Sequence, residues 1–220
     1  MAAERLSRVT VAEAALRLGD DEGLDAVTIR RLATELGVTP MALYWHFKNK
    51  DELLIGILDH ALSTVRADRS VGDPWQKQLR AMIEALVDVC RRHPVLPDLL
   101  HSVDKNQVTS FTRATEDALA LLAEAGFDVQ EGFWIGSYLL HGAIGLVDAQ
   151  PELPVNVPAA EGREWRRQRR LELECLPVDR FPMMVRFGAT YAGEPEVERY
   201  YAFGIELLIN GVEASARPTS

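Results

Sequence analysis

From about Ser7 to Ala214 the apolar residues of this chain recur every three or four positions, and no run alternates apolar with polar side chains. A period of 3.6 buries one stripe of a helix, whereas a half-buried strand needs a period of two. The pattern therefore predicts an all-α chain without a sheet. Helix-stop residues divide it further. The first helix runs from about Ser7 to Glu22, with Val11, Ala14, Ala15 and Leu18 as its stripe and Gly23 as its stop. Short helices follow Thr28 and Thr39. A longer one, from Asn49 to about Arg69, ends before the turn composition Ser70-Val71-Gly72-Asp73-Pro74. Longer helices are then expected over about 75–92, 107–125, 130–149 and 195–214, with shorter ones near 97–103 and 181–192. A charged amphipathic stretch covers 160–176. Residues 151–158 hold three prolines and read as loop. The organisation expected is an N-terminal domain (1–50), a connecting helix (51–70) and a C-terminal domain (71–220).

The segment from Thr28 to Phe47 has the logic of a helix-turn-helix. Thr28 can cap the first short helix, and Ala33 is small where two helices must approach closely. Gly37 suits a left-handed turn between them. Thr39 can cap the second helix, and Pro40 fits its first position, where no N–H bond is lost. Val38 and Leu43 supply apolar contacts. Such a motif sets the N-terminal residues of its second helix against base edges in the major groove. Asn49 and Glu52 then form a potential capping box, and the N–H groups of that helix start, beside Lys48 and Lys50, suit a phosphate.

Charge supports this placement. The chain's net charge of −9 argues against nucleic acid along the whole surface. Residues 1–50 nonetheless balance seven basic against seven acidic residues. Thr28 to Lys50 carry Arg30, Arg31, Lys48 and Lys50 against Glu35 alone. A locally positive face on an acidic molecule is what a modular DNA reader needs. Cys90 and Cys175 have no metal-ligand spacing and read as free thiols in a reducing compartment. The N-terminus lacks the apolar core of a signal peptide, and the apolar stretch 133–147 is too short to span a bilayer, so a cytoplasmic protein without membrane contact is expected.

The run Ala42-Leu-Tyr-Trp-His-Phe-Lys-Asn-Lys-Asp-Glu-Leu-Leu54 resembles the second motif helix and fourth-helix start of the tetracycline-repressor (TetR) family. The likeness covers roughly residues 7–60. Residues Phe203 to Glu213 resemble the last helix of the tetracycline-repressor subgroup. The resemblance implies an N-terminal three-helix DNA-binding domain and a C-terminal helical ligand-binding and dimerisation domain. It also implies a homodimer that binds a palindromic double-stranded DNA operator, represses transcription and releases DNA when a small-molecule effector binds. Arg30, Thr39, Pro40, Met41 and Ala42 match base-reading positions, and Tyr44, His46 and Lys50 match backbone-contact positions. Lys48 and Thr28 join this surface, while Arg31 is either a phosphate contact or a solvated charge. Trp45 and Phe47 are expected to be core aromatics. Pro40 and Met41 offer no side-chain hydrogen bonds, so contacts with thymine methyls and DNA shape are expected instead.

In the C-terminal domain, Gly132, Gly136, Gly142 and Gly145 share one helix, and Gly204 and Gly211 another. Repeated glycines suggest close backbone approach, within one chain or, with the resemblance, in a four-helix dimer interface. An effector pocket would draw on His60, Thr64, His101, Trp134, Tyr138 and His141 for polar tips, and on Met82, Leu86, Phe111 and Met183 for apolar walls; the alternative for each is a core role. His101 falls near a family metal-coordinating position. However, Arg66 and Met82 stand where the subgroup has ligand-binding His and Asn, so tetracycline with magnesium is not the expected inducer. No cofactor or resident metal is implied. The basic run Arg163 to Arg170 reads as a solvated helix face or part of a flap over the pocket, and less readily as a nucleic-acid contact. An all-helical enzyme or metal carrier would need paired carboxylates with Glu-x-x-His spacing, which the sequence lacks. A ligand-dependent activator shares every feature named above.

Overall fold

The computed structural model describes residues 6–67, 72–151 and 159–216, and among them it contains helices and no strand. Local chemistry explains the first boundaries. Helix α1 (Arg8–Glu22) starts where the Ser7 hydroxyl accepts the Thr10 N–H, and ends at Gly23, φ 83°. Helix α2 (Ile29–Glu35) is capped by Thr28, which accepts the Arg31 N–H at 3.2 Å. Gly37, φ 64°, turns the chain into α3 (Pro40–Tyr44), capped by Thr39. Helix α4 (Lys50–Ala61) follows Asn49.

The fourth helix is shorter than expected. It ends at Ala61, and Leu62–Thr64 form a single 3-10 turn. Ser63, Thr64 and Val65 are poor helix formers in sequence, and beyond them the Ala67 N–H is taken by the Asp117 carboxylate at 3.3 Å rather than by a helix carbonyl. The remainder of the expected connecting segment, 68–70, lies outside the described residues, as does most of the expected loop, 152–158.

The following helices are α5 (Trp75–Arg92), α6 (Leu96–Ser102), α7 (Thr109–Glu124), α8 (Val129–Asp148), α9 (Gly162–Glu174), α10 (Pro182–Gly188) and α11 (Val197–Ser215). Each lies within a few residues of its expectation. The chain forms two compact units, residues 1–148 with 205–220, and residues 149–204.

In the first unit α1, α2, α3 and α4 enclose Leu32, Leu43, Phe47, Leu53 and Ile57, all buried. Helices α5, α7 and α8 pack on one another around Leu79, Leu121, Leu122 and Leu139. Two carboxylates join these groups. Asp20, near the end of α1, accepts the Val95 N–H at 3.2 Å and lies 2.8 Å from His93 Nδ1. Asp59 on α4 accepts the Ser110 N–H at 2.7 Å and thereby caps α7, whose own N-cap, Val108, has no side-chain acceptor. Cys90 is buried here, and desolvation pushes its thiol up to about 12. It is a packing residue.

In the second unit α9 packs on α10, with Gly188 3.0 Å, at its would-be Cβ, from the Leu173 side chain. Tyr191 meets Trp165 and Phe187 edge-on.

Candidate nucleic-acid interface and ligand cavity

Most of the expected reading face is exposed. Arg30, Thr39, Pro40, Met41, Tyr44, Lys48 and Lys50 are exposed, with Met41 at 67%, and Thr28, Ala42 and His46 are half-buried. Leu43 and Phe47 lie beneath them. Phe47 is 1% exposed. The Arg8 guanidinium stacks 4.5 Å from its ring centroid. Gly56 faces the ring edge so closely that a Cβ there would lie 2.5 Å from Phe47 Cε1.

Trp45 corrects an expectation, for it is 86% exposed rather than part of the core. The reason is helical geometry. Leu43 and Phe47 are four residues apart and share a face, whereas Trp45 lies two residues from either, roughly 200° around the axis. The large aromatic is therefore added to the exposed surface at the C-terminal end of α3.

The four basic residues differ. Arg31 binds Glu22 and, at 3.0 Å, Glu35, and these hydrogen bonds raise its pKa above the ordinary arginine value. Its charge is compensated within the protein. Arg30, Lys48 and Lys50 have no ion pair among the described residues.

The capping box forms with one shift. Asn49 Oδ1 accepts the Glu52 N–H at 2.8 Å, while Glu52 Oε2 accepts the N–H of Lys48, one residue before the cap, also at 2.8 Å. The Lys48 N–H first, and then Arg8, hold the Glu52 pKa below its ordinary value. A depressed folded-state pKa stabilises the fold above the unfolded-state value of about 4.3, and this contribution is lost as pH falls through the folded value. Glu52→Gln should therefore melt slightly below the unmodified protein at neutral pH, and the two melting curves should converge on acidification. A difference independent of pH would show that the carboxylate charge plays no part.

A cavity of about 430 Å³ lies in the first unit. Helix α5 supplies Leu79, Met82, Ile83 and Leu86; α7 supplies Phe111, Ala114 and Ala118; α8 supplies Gly136, Leu139 and Leu140. Leu62 and Val65, just past the end of α4, join the apolar wall, as do Val103, Leu119 and Phe133. Polar groups fall into two sets: Asp104, Lys105 and Asn106, and Thr115, Ser137 and His141.

Of the ten side chains expected at a pocket, Met82, Leu86, Phe111 and His141 line this cavity. The others do not. His60 Nε2 turns toward Glu13, 4.0 Å away. Thr64 is exposed beyond α4, and His101 is exposed with Nδ1 2.7 Å from the Pro97 carbonyl. Trp134 and Tyr138 are 54% and 76% exposed on α8. Met183 is exposed on α10, in the second unit. The 104–106 set escaped sequence reading because a 3-10 turn of polar residues has no amphipathic signature. Ser137 had a signal, since it stands four residues before His141 on one helix. A metal does not fit this donor set: the lining offers one carboxylate and one imidazole, and no group of three His, Cys, Asp or Glu among the described residues could hold an ion.

The glycines divide between the two readings. A Cβ on Gly142 would lie 2.7 Å from Leu208 Cδ2, so this glycine serves packing within the chain. Gly136 borders the cavity, whereas Gly145 and Gly211 face open space, and Phe133, Trp134, Tyr138, Phe203 and Leu207 are exposed on the same two helices. In the basic run of α9, Arg167 pairs with Glu164, Arg169 with Glu172 and Arg170 with Glu174 on a solvated, self-compensated face, while the Arg166 side chain is largely buried and pairs with Glu194. No helix among the described residues is long and apolar enough to cross a membrane.

Comparison with known proteins finds similarity along most of the chain. Residues 11–57 match the bacterial regulatory proteins, tetR family, and residues 70–216 match the tetracyclin repressor-like, C-terminal domain. The tetracycline repressor protein class D of Escherichia coli is 30% identical over 214 residues, 95% of this chain and 90% of that one. The Streptomyces coelicolor TetR family protein ActR, solved in complex with (S)-DNPA, superposes with a TM-score of 0.75 at 25% identity, over 97% of this chain and 100% of that one. BioQ of Mycobacterium smegmatis, solved with its double-stranded DNA operator, gives a TM-score of 0.58 at 26% identity, over 96% of this chain and 99% of that one.

Proposed function

This chain belongs to the tetR family of bacterial regulatory proteins, and we infer that it is a ligand-responsive transcriptional repressor that binds a palindromic operator as a homodimer. One observation carries the reading. Helix α4 begins at Lys50 beside the unpaired cations of the reading head and ends against Leu62 and Val65, which wall the cavity. A molecule filling the cavity bears directly on the element that holds the phosphate-gripping end. Effector binding shifts the dimer toward a state in which the two heads no longer match half-sites about one helical turn apart. The solved complexes of ActR with (S)-DNPA and of BioQ with its operator support the two halves of this account. The exposed apolar side chains of α8 and α11 supply the dimer interface.

On the reading face, Arg30 and Thr39 to Ala42 contact bases, while Tyr44, His46, Lys48 and Lys50 grip the backbone. Arg30→Ala and Lys50→Ala should each weaken operator binding by about 1–3 kcal/mol, and Lys50→Ala should reduce the salt dependence by about one charge. Arg31→Ala should cost less, because Glu22 and Glu35 already hold its guanidinium. Fluorescence anisotropy across a salt series measures all three. Unchanged affinity in both Arg30→Ala and Lys50→Ala would defeat the assignment of this face.

Trp45 provides an intrinsic probe. Being exposed beside Tyr44, it should change its emission when operator is added, and a Trp45→Phe protein should lose that change while still binding. An identical response in the Trp45→Phe protein would place the reporting tryptophan elsewhere.

A further inference from the structure

We propose that the effector is an uncharged, metal-free and largely apolar molecule that donates a hydroxyl hydrogen to the α7–α8 edge of the cavity. This rests on the reading of that cavity as the effector site. The argument is an inventory of the hydrogen-bonding capacity left in the lining. His141 Nδ1 lies 2.7 Å from the Ser137 carbonyl, which can only accept, so Nδ1 carries the proton. The polar atom left on the neutral ring is Nε2, an acceptor. The Thr115 hydroxyl donates to the Phe111 carbonyl at 2.9 Å and likewise retains lone pairs. Both groups have used their donors on their own helices and keep only acceptors, while the Ser137 hydroxyl beside them can donate or accept; a ligand hydroxyl that donates to His141 or Thr115, and can accept from Ser137, completes this edge.

The charged side chains point the same way. Asp104 accepts from the Asn106 N–H and the Gln107 amide, each at 3.1 Å, and Lys105 Nζ donates to the Leu100 carbonyl at 2.9 Å. One negative and one positive group, adjacent in sequence and already engaged, leave no net charge to pair with an ionised ligand. Burying an unpaired ion against the apolar remainder costs several kcal/mol. The volume of about 430 Å³ suits a molecule of ordinary drug size or smaller.

Naphthalene and 1-naphthol differ by one O–H and test the inference directly, with 1-naphthalenesulfonate as the anionic comparison. Calorimetry on the full-length dimer should show 1-naphthol binding several-fold to about tenfold more tightly than naphthalene. The sulfonate should bind more weakly than either, and magnesium or a chelator should change nothing. The naphthol advantage should collapse in His141→Phe and return in part in His141→Gln, whose carbonyl oxygen again accepts. Equal binding of the matched pair, tighter binding of the sulfonate, or a requirement for metal would overturn the proposed class. Ala118→Trp, checked for fold by circular dichroism, separates this outcome from failure of the cavity reading. Probes that still bind the filled protein lie elsewhere, and the cavity reading fails. Binding lost on filling, but without a naphthol advantage, defeats only the donor inference. No binding of any probe to the unmodified dimer overturns both.

Discussion

Phe47→Ala should abolish specific operator binding while leaving α5, α7 and α8 folded. Phe47 is almost wholly buried beneath the reading face, with the Arg8 guanidinium on its ring and Gly56 at its edge. Truncating a buried phenylalanine costs about 3–5 kcal/mol, because transfer energy is lost and a cavity remains. A head of about 50 residues has a total stability of the same order, roughly 3–8 kcal/mol. The reading helix α3 has only five residues and cannot hold itself without this packing. The variant should bind operator at least about 100-fold more weakly, which corresponds to only about 2.7 kcal/mol. Hydrogen exchange should show lost protection in α2 and α3 and retained protection in α5 and α8. Binding within threefold of the unmodified protein would show that the ring does not organise the head. Gly56→Ala gives an independent approach to the same contact, because the new methyl must displace the ring.

Tyr138→Asp should break the dimer and with it most of the operator affinity. Trp134 and Tyr138 stand one helical turn apart on α8 and are more than half exposed, and Leu207 is exposed on α11. A carboxylate placed among such side chains at a buried interface loses several kcal/mol of hydration without a partner. A monomer binds one half-site and forfeits the gain from linked heads, commonly a factor of 10² or more. Analytical ultracentrifugation should find monomers at micromolar concentration, with circular dichroism unchanged. A variant that stays dimeric would place the interface on another surface.

The sequence revealed most where structure depends on neighbours within four residues. Ser7, Thr28, Thr39 and Asn49 accept N–H groups three residues ahead, and Gly23 and Gly37 adopt the positive φ that their places between helices required. Trp45 departs from the core role that its aromatic character suggests because, two residues from both Leu43 and Phe47, it points away from the buried face. Arg31 stayed ambiguous because Glu22, one of its two partners, lies on another helix. The pocket was the least legible feature. Met82, Leu86 and Phe111 are legible as candidate apolar walls and His141 as a candidate polar tip, but periodicity cannot tell a residue that faces a cavity from one that faces a filled core or a second chain.

The sequence by itself determined an all-helical chain, the helix-turn-helix with its caps and turns, and the positive face from Thr28 to Lys50. These follow from backbone hydrogen bonding and side-chain period, both set within one or two helical turns. Only the tertiary structure decided which helices leave space between them, where α4 stops and meets the cavity, and which donors His141 and Thr115 have already used. Those properties come from side chains far apart in the chain meeting in space, and no local pattern encodes them.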